Sequence, residues 1–223
     1  MKKLFLTVLI CFAAILLYAQ NGYIFPGSGK TNVYKMSVES TMGSNTMIVK
    51  QSCTKSDSGQ ILLKTESTDL KGGEVTPTAV IAFNENEKNY TIPLNDLMKS
   101  QLAAFENLQI VDSSGNLSWP KELNVGDKLE KTTIKIKATI QGMDIEAVIS
   151  MDNREVIGKE TIEVPAGKFD CIKVKESIII DMMGQQITNV STECYAKEIG
   201  LVKQITDTMG GMATTTMELQ EIK

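Results

Sequence analysis

Apolar and polar residues alternate along much of this chain with a period of two. The pattern is clearest in residues 134–140, 145–151 and 172–180, where an apolar side chain takes nearly every second position. Successive side chains of a β-strand point to opposite faces of its sheet, so this period indicates strands with one buried and one solvated face. The stretches therefore predict long β-strands.

Residues typical of turns separate these runs and recur every 10 to 20 residues or so. They are found at 42–45, 57–59, 72–73, 113–116, 141–142, Gly158, 166–167, 183–184, Gly200 and 210–211. Glycine, asparagine and aspartate adopt the backbone angles that tight turns need. The spacing predicts antiparallel strands joined by hairpins.

One segment departs from the two-residue period. Between Asn95 and Asn107, apolar residues recur at intervals of three and four, and Pro93 stands just before. They are Leu94, Leu97, Met98, Leu102, Phe105 and Leu108. This is the spacing of an amphipathic helix. We predict a mainly β fold, a large curved antiparallel sheet with this one helix packed on it.

The N-terminus has the features of a secretory signal peptide. A basic head is followed by an apolar run from Leu4 to Leu17 and by the small residue Ala19, which predicts cleavage after Ala19. A lipoprotein signal using Cys11 is the weaker alternative, because Ile10 stands where a small residue is needed. The prediction is an exported protein, periplasmic or at the cell surface. Its mature chain, residues 20–223, forms one β-rich domain and contains no apolar run of membrane-spanning length.

Composition excludes several classes of function. The formal net charge is −4 and becomes −6 once Lys2 and Lys3 leave with the leader; nucleic acids and anionic membrane surfaces attract clustered positive charge instead. The sequence contains no histidine, the residue most used as a general base and metal ligand. It has no Cys-x-x-Cys motif either. We therefore expect no nucleic acid partner, no cofactor, no metal site and no enzymatic activity.

Three cysteines remain after the leader: Cys53, Cys171 and Cys194. Cys171 and Cys194 lie on strands that we expect to be hairpin neighbours, which makes them the candidate disulfide pair in an oxidising compartment. A two-residue turn at residues 183–184 would place Cys171 opposite the neighbourhood of Ala196, about two residues out of register. The alternative is that they are buried free thiols acting as small apolar residues.

Two corners stand out in the second half of the chain. In the first, a strand ends at Pro165, a turn includes Gly167, and the next strand starts at Phe169; in the second, Gly200 turns the chain before Leu201. Proline cannot donate to a strand ladder, and glycine tolerates positive φ. Phe169, Tyr195 and Leu201 are the expected core anchors beside these corners.

These corners, together with Tyr23, Pro26, Trp119 and Gly126, form a pattern of known motifs. Val-Pro-Ala-Gly-x-Phe-x-Cys runs from Val164 to Cys171, and Tyr-Ala-x-x-x-Gly-Leu-Val-Lys runs from Tyr195 to Lys203. The chain resembles the exported proteins of the DUF3108-like group, some called TapB, that are common in Bacteroidetes. The resemblance covers essentially the mature chain. It implies a half-barrel like that of lipoprotein carriers, which hold acyl chains in a concave sheet face.

Our hypothesis for function combines these points: a non-catalytic domain that binds an apolar small molecule, a lipid or a cell-envelope protein in its concave sheet. The 12 methionines suit a pliable apolar lining, although methionine also fills ordinary cores. The expected lining residues are Met98, Ile136, Met151 and Ile178. One alternative is an envelope interaction protein with a solid core and no ligand cavity. Another is a hydrolase that uses carboxylates alone.

Overall fold

A computed structural model of the chain describes residues 29–41, 43–70, 79–86, 88–93, 108–114, 116–140, 143–182, 184–208 and 210–223. These residues form thirteen β-strands. The strands are β1 Thr31–Ser40, β2 Gly43–Lys55, β3 Ile61–Asp69, β4 Ala79–Glu85, β5 Asn89–Pro93, β6 Leu108–Ser114, β7 Asn116–Pro120, β8 Thr132–Ile140, β9 Met143–Val164, β10 Gly167–Met182, β11 Gln185–Ala196, β12 Gly200–Thr208 and β13 Ala213–Ile222.

All thirteen strands belong to one sheet, and each pairs antiparallel with its neighbours. The order is β6-β8-β9-β10-β11-β12-β13-β1-β2-β3-β4-β5-β7. The prediction of a mainly β, antiparallel fold is confirmed. No helix occurs in the part of the chain that the structure describes, so none there is suited to cross a membrane. The helix predicted for residues 95–107 lies outside the described residues, as does the predicted signal peptide, residues 1–19.

The two edge strands of this order, β6 and β7, follow each other directly in the sequence. The sheet is therefore barrel-like and nearly closed. β6 pairs with β8, β7 pairs with β5, and residue 115 alone separates β6 from β7. Of the turn predicted at residues 113–116, Ser113, Ser114 and Asn116 lie at the ends of these two strands, and residue 115 lies outside the described residues. β6 and β7 pair with different strands, so the chain changes its strand partner here.

The longest strand, β9, also differs from the prediction. It spans 22 residues and passes through Gly158, which the sequence indicated as a turn. Register shifts against β10 leave extra residues in β9 near Ile157 and near Asn153. Such β-bulges bend a long strand and re-aim its side chains, so β9 curves instead of turning back.

The corner between β9 and β10 is tighter than predicted. Val164 pairs with Gly167, so the turn is Pro165-Ala166 and β10 begins two residues before Phe169. Gly167 has φ of 134° and Gly200 has φ of 92°, which confirms the expected positive φ at both glycines.

The expected core anchors differ in burial. Tyr195 and Leu201 are buried, whereas Phe169 is half-buried against the core and Pro165 is exposed. Because Phe169 follows the turn so closely, its ring covers the edge of the core. Tyr195 and Leu201 lie within it.

One buried apolar cluster lies toward the end of the sheet where β9 turns into β10, which we call the corner end. Its buried members come mainly from β9 to β13, β1 and β2, and include Tyr34, Val174, Tyr195, Val202 and Leu219. The opposite end, where β10 ends at Met182 and β11 begins at Gln185, we call the tip end. The interior changes in character between the two.

Candidate functional site

The buried face of the sheet, its inner face, can be followed as rows of residues that oppose one another across neighbouring strands. One row crosses β8 to β12, with apolar residues on β9 and β10 and polar residues on either side of them. Its members are Thr132, Met151, Ile178, Asn189 and Thr208. All five are buried. We call it the Asn189 row.

Next to it, toward the tip end, lies a row made of isoleucine. It consists of Ile134, Ile149, Ile180 and Ile187, on β8 to β11. The first three are buried. Together with Met151 and Ile178, this isoleucine row forms an aliphatic wall on the inner face.

The four residues expected to line a ligand site have different places. Met151 and Ile178 oppose each other in the aliphatic wall and are buried. Ile136 lies in β8, where it pairs with Ala147. Met98 lies outside the described residues. The structure thus brings two of the four together.

Toward the corner end, the next inward position on β10 is an acid, Glu176, opposite Ser191 on β11. The bulge in β9 sets two residues, Asn153 and Arg154, against Glu176, and Asn153 takes a φ of 51° to do so. Arg154 Nε lies 3.4 Å from Glu176 Oε2. Both side chains are almost fully buried, at 0% and 1% exposure, so the ion pair lies inside the sheet.

Arg154 also connects distant parts of the chain. Its guanidinium stacks on the Trp119 ring of β7 at 3.9 Å from the centroid, and its Nη1 donates to the Glu130 carbonyl oxygen over 2.9 Å. A cation over an aromatic face is stabilised further when both are desolvated. Because β7 ends the strand order, this stack ties one sheet edge to β9 and β10.

A second buried acid, Glu193, is held by three donors on β11 and β12. Tyr195 Oη donates to its Oε2 over 2.7 Å, and Gln204 Nε2 and Ser191 Oγ donate to its Oε1 over 2.8 and 3.2 Å. Arg154, Glu176 and Glu193 together form what we call the buried acid cluster. It contains two carboxyl groups and one guanidinium.

Burial dominates the ionisation of this cluster. Desolvation raises the pKa of Glu176, against the opposing effect of Arg154. It also raises the pKa of Glu193 to about 8, helped by the charge of Glu176 and opposed by the hydrogen bonds from Tyr195 and Ser191. Desolvation disfavours the charged form of a carboxyl group, so burial shifts both carboxyl groups toward their neutral form.

The convergence of two acids bears on the carboxylate-hydrolase alternative. Glu176 and Glu193 interact electrostatically, but each is already paired with protein groups, Glu176 with Arg154 and Glu193 with Tyr195, Gln204 and Ser191. A general acid must reach its substrate within hydrogen-bond distance, and these carboxyl groups are committed to their protein partners. Within the described ranges, no group of three or more acidic or cysteine residues is suited to bind a metal.

The three cysteines are buried free thiols in the structure. Cys171 pairs with Ala196 and Cys194 with Lys173, the two-residue offset expected from a turn at residues 183–184. Burial raises the pKa of Cys171 to about 12 and that of Cys53 to about 11. The candidate Cys171–Cys194 disulfide is thus not formed here, and the free-thiol alternative describes the pair.

The buried acid cluster was not predicted from the sequence. One signal was available: Glu176 stands between Val174 and Ile178 at an inward position of an otherwise apolar alternation. Glu193 gave a weaker one, since Asn189, Ser191 and Glu193 share one face of β11. Arg154 gave no signal. The bulge shifts the inward-facing positions of β9 from odd-numbered to even-numbered residues between Met151 and Val156.

Comparison with known proteins places these features in a family. Residues 29–219 match the model of the DUF3108-like family. Among curated proteins, no sequence matches this chain.

Two solved structures share the fold. One is a protein of Bacteroides fragilis assigned as exported and with a YmcC-like fold; it is 20% identical, with a TM-score of 0.60 over 90% of this chain and 99% of that one. The other is a protein of Parabacteroides distasonis assigned as a lipoprotein; it is 18% identical, with a TM-score of 0.63 over 92% of this chain and 100% of that one. The chain therefore belongs to the DUF3108-like family.

Proposed function

We propose that this protein is an exported, non-catalytic binding protein that holds a lipid or another molecule with an apolar chain against the inner face of its sheet. The observation that carries the proposal is the aliphatic wall beside Asn189. Ile178 lies directly opposite this buried amide and Met151 lies one strand further, and the amide has no hydrogen-bond partner among the described residues. Apolar walls with a few placed polar groups are typical of small-molecule sites.

Export is supported by the basic head and apolar run of residues 1–19. The two proteins that share the fold point the same way, since one is assigned as exported and the other as a lipoprotein. A non-catalytic role is favoured by the absence of histidine from the sequence and by the engaged state of both buried acids.

A second candidate function is interaction with another envelope protein through the outer surface, with the interior serving only as a core. The buried cluster at the corner end favours this alternative, because it consists of buried apolar side chains, as an ordinary domain core does. The two candidate functions differ in whether the interior of the sheet near the tip end accepts a ligand.

Native mass spectrometry of residues 20–223, purified from an exporting host, tests the proposal directly. We expect a reproducible adduct of lipid mass, recovered as a lipid by organic extraction of the same sample. A bare protein mass, with no uptake of a fluorescent fatty-acyl probe in follow-up, would exclude lipid binding and leave the envelope interaction.

A pair of variants locates the site. Ile178→Trp enlarges a side chain within the aliphatic wall. We expect the larger ring to occupy space that the acyl chain needs and to reduce binding of the acyl probe at least about tenfold, which is about 1.4 kcal/mol in binding free energy. Ile205→Trp is the matched control: Ile205 is 40% exposed on the opposite face of β12. Equal probe binding by both variants would place the ligand elsewhere on the molecule.

A further inference from the structure

Asn189 is the most unusual residue of the inner face. It is 1% exposed, and neither its Nδ2 nor its Oδ1 has a hydrogen-bond partner in the part of the chain that the structure describes. A buried polar group left unpaired costs about 1–3 kcal/mol. An amide that lacks partners for both its donor and its acceptor is therefore expected to have a role outside folding.

The described side chains around Asn189 do not explain its burial, because none of them forms a hydrogen bond with its amide. It opposes Ile178 on one side and Thr208 on the other. The next polar residue on the same face, Ser191, contacts Glu193, Gln204 and Thr206 instead. Gln51 and Thr65 also carry buried unpartnered atoms, but one atom each, and they oppose each other on β2 and β3, away from the aliphatic wall.

Charge near Asn189 limits what can bind there. Among the described residues, the buried arginine and carboxylic acid side chains are Arg154, Glu176 and Glu193, and the first two pair with each other. An anionic ligand group would find no unpaired cation among the described buried residues, since the guanidinium of Arg154 is already paired with Glu176. A cationic group would have to be desolvated beside an acid already paired with Arg154, and burying an ion without its own partner is strongly unfavourable.

We propose that Asn189 recognises an uncharged polar group that both donates and accepts hydrogen bonds, at the end of an apolar chain lying on the aliphatic wall. Amides and hydroxyl groups of neutral amphiphiles, such as fatty amides and monoacylglycerols, have this chemistry: one acceptor for Nδ2 and one donor for Oδ1. The inference rests on the proposed lipid-binding function and names its ligand class.

The test compares four ligands whose saturated hydrocarbon chains have the same number of carbons: palmitamide, monopalmitoylglycerol, palmitate and hexadecylammonium. Each displaces a fluorescent acyl probe from residues 20–223 at neutral pH. We expect the two neutral ligands to bind at least about tenfold more tightly than either charged one, the selectivity that a buried hydrogen-bonding group confers. A charged ligand that binds as well or better overturns the inference but leaves lipid binding intact. Failure of all four to bind overturns the proposed function itself.

Two variants assign the preference to Asn189. Asn189→Leu removes both polar atoms, and we expect it to abolish the preference for neutral ligands and to raise the melting temperature, because two unpaired buried atoms are removed. Gln186→Leu, on the exposed face of the same strand, is the control and should keep the preference. If Asn189→Leu melts lower than the wild type, or keeps the preference, Asn189 has a structural role and the inference is wrong.

Discussion

Arg154 provides the only buried positive charge among the described residues, and it faces two buried carboxyl groups. Its ion pair with Glu176 spans 3.4 Å and is not a well-formed hydrogen bond, since both Arg154 Nε and Glu176 Oε2 lack hydrogen-bond partners. Such a pair contributes little net stability, but each member becomes costly when the other is removed.

Arg154→Met should therefore destabilise the protein strongly. We expect a loss of about 3–5 kcal/mol in the free energy of unfolding, because Glu176 would be buried without its cation. Urea denaturation measures this loss. In the double variant Arg154→Met/Glu176→Gln, much of the loss should be recovered. If the double variant is as unstable as the single one, the contribution of Arg154 comes from packing on Trp119 and not from charge.

Glu193 makes stability depend on pH in an unusual direction. Its pKa in the folded protein is about 8, well above the value of about 4.3 in an unfolded chain. Between these values the folded state keeps a proton that the unfolded state releases, so stability falls as pH rises. The loss reaches at most about 1.4 kcal/mol for each pH unit in this range.

Glu193→Gln tests this dependence, since glutamine keeps the shape of the side chain and has no proton to lose. Relative to the wild type, its free energy of unfolding should increase as the pH is raised from 5 to 8 (roughly the range between the two pKa values). Glu163→Gln, at an exposed ion pair with Lys168, should follow the wild-type profile. Parallel profiles for all three proteins would show that Glu193 ionises normally.

At the scale of single elements, the β9–β10 hairpin depends on one backbone conformation. Gly167 has φ of 134°, an angle that side chains with a Cβ rarely adopt. Space is not the limit, because a Cβ there would meet Phe169 only at 3.8 Å. Strain in the backbone is therefore the expected effect of a substitution.

Gly167→Val should destabilise the protein by about 1–3 kcal/mol, the usual cost of a strained backbone position. Gly158→Val is the matched control: it lies in the same hairpin, has no positive φ, and has nothing within 4 Å of an added Cβ. Valine also favours strands, so this control should be neutral or slightly stabilising. Thermal melting of both variants measures the contrast, and an unchanged melting temperature for Gly167→Val would contradict the turn assignment.

At the scale of the whole molecule, the sheet is held together unevenly. β10 and β11 pair continuously from Cys171–Ala196 to Met182–Gln185. By contrast, β4 and β5 pair only at Asn84–Thr91 and Glu85–Tyr90. A surface cluster supplements this short ladder: Glu85 accepts hydrogen bonds from Lys121 Nζ over 2.7 Å and from Tyr90 Oη over 3.1 Å.

Hydrogen exchange should reveal this unevenness. We expect the amides of β5 to exchange through local opening well before those of β10, since local stability follows the extent of packing and pairing. Glu85→Gln should lower the free energy of local opening in β5 by less than about 1 kcal/mol, as expected for a surface ion pair. The amides of β5 should then exchange slightly faster. Glu66→Gln, which removes an exposed pair with Lys64, should leave β5 unchanged. Uniform protection across the sheet would contradict this view.

Much of the fold was predictable because its signals are local. The two-residue alternation identified β8, β9 and β10, and glycines marked the corners at Gly167 and Gly200. The same signals can have a different meaning: Gly158, predicted as a turn, lies within a bulged strand, and residues 113–116 are found where the chain changes its strand partner. A single sequence cannot separate these cases, because pairing partners are distant in the chain.

The sequence by itself determined the class of the fold, the corner glycines and the inward position of Met151 and Ile178, since strand periodicity and turn geometry depend on neighbouring residues alone. Only the tertiary structure decided that β6 and β7 bring the sheet edges together, that a bulge turns Arg154 toward Glu176, and that Asn189 is buried without hydrogen-bond partners among the described residues. Each of these depends on contacts between strands far apart in sequence, where burial and charge act together.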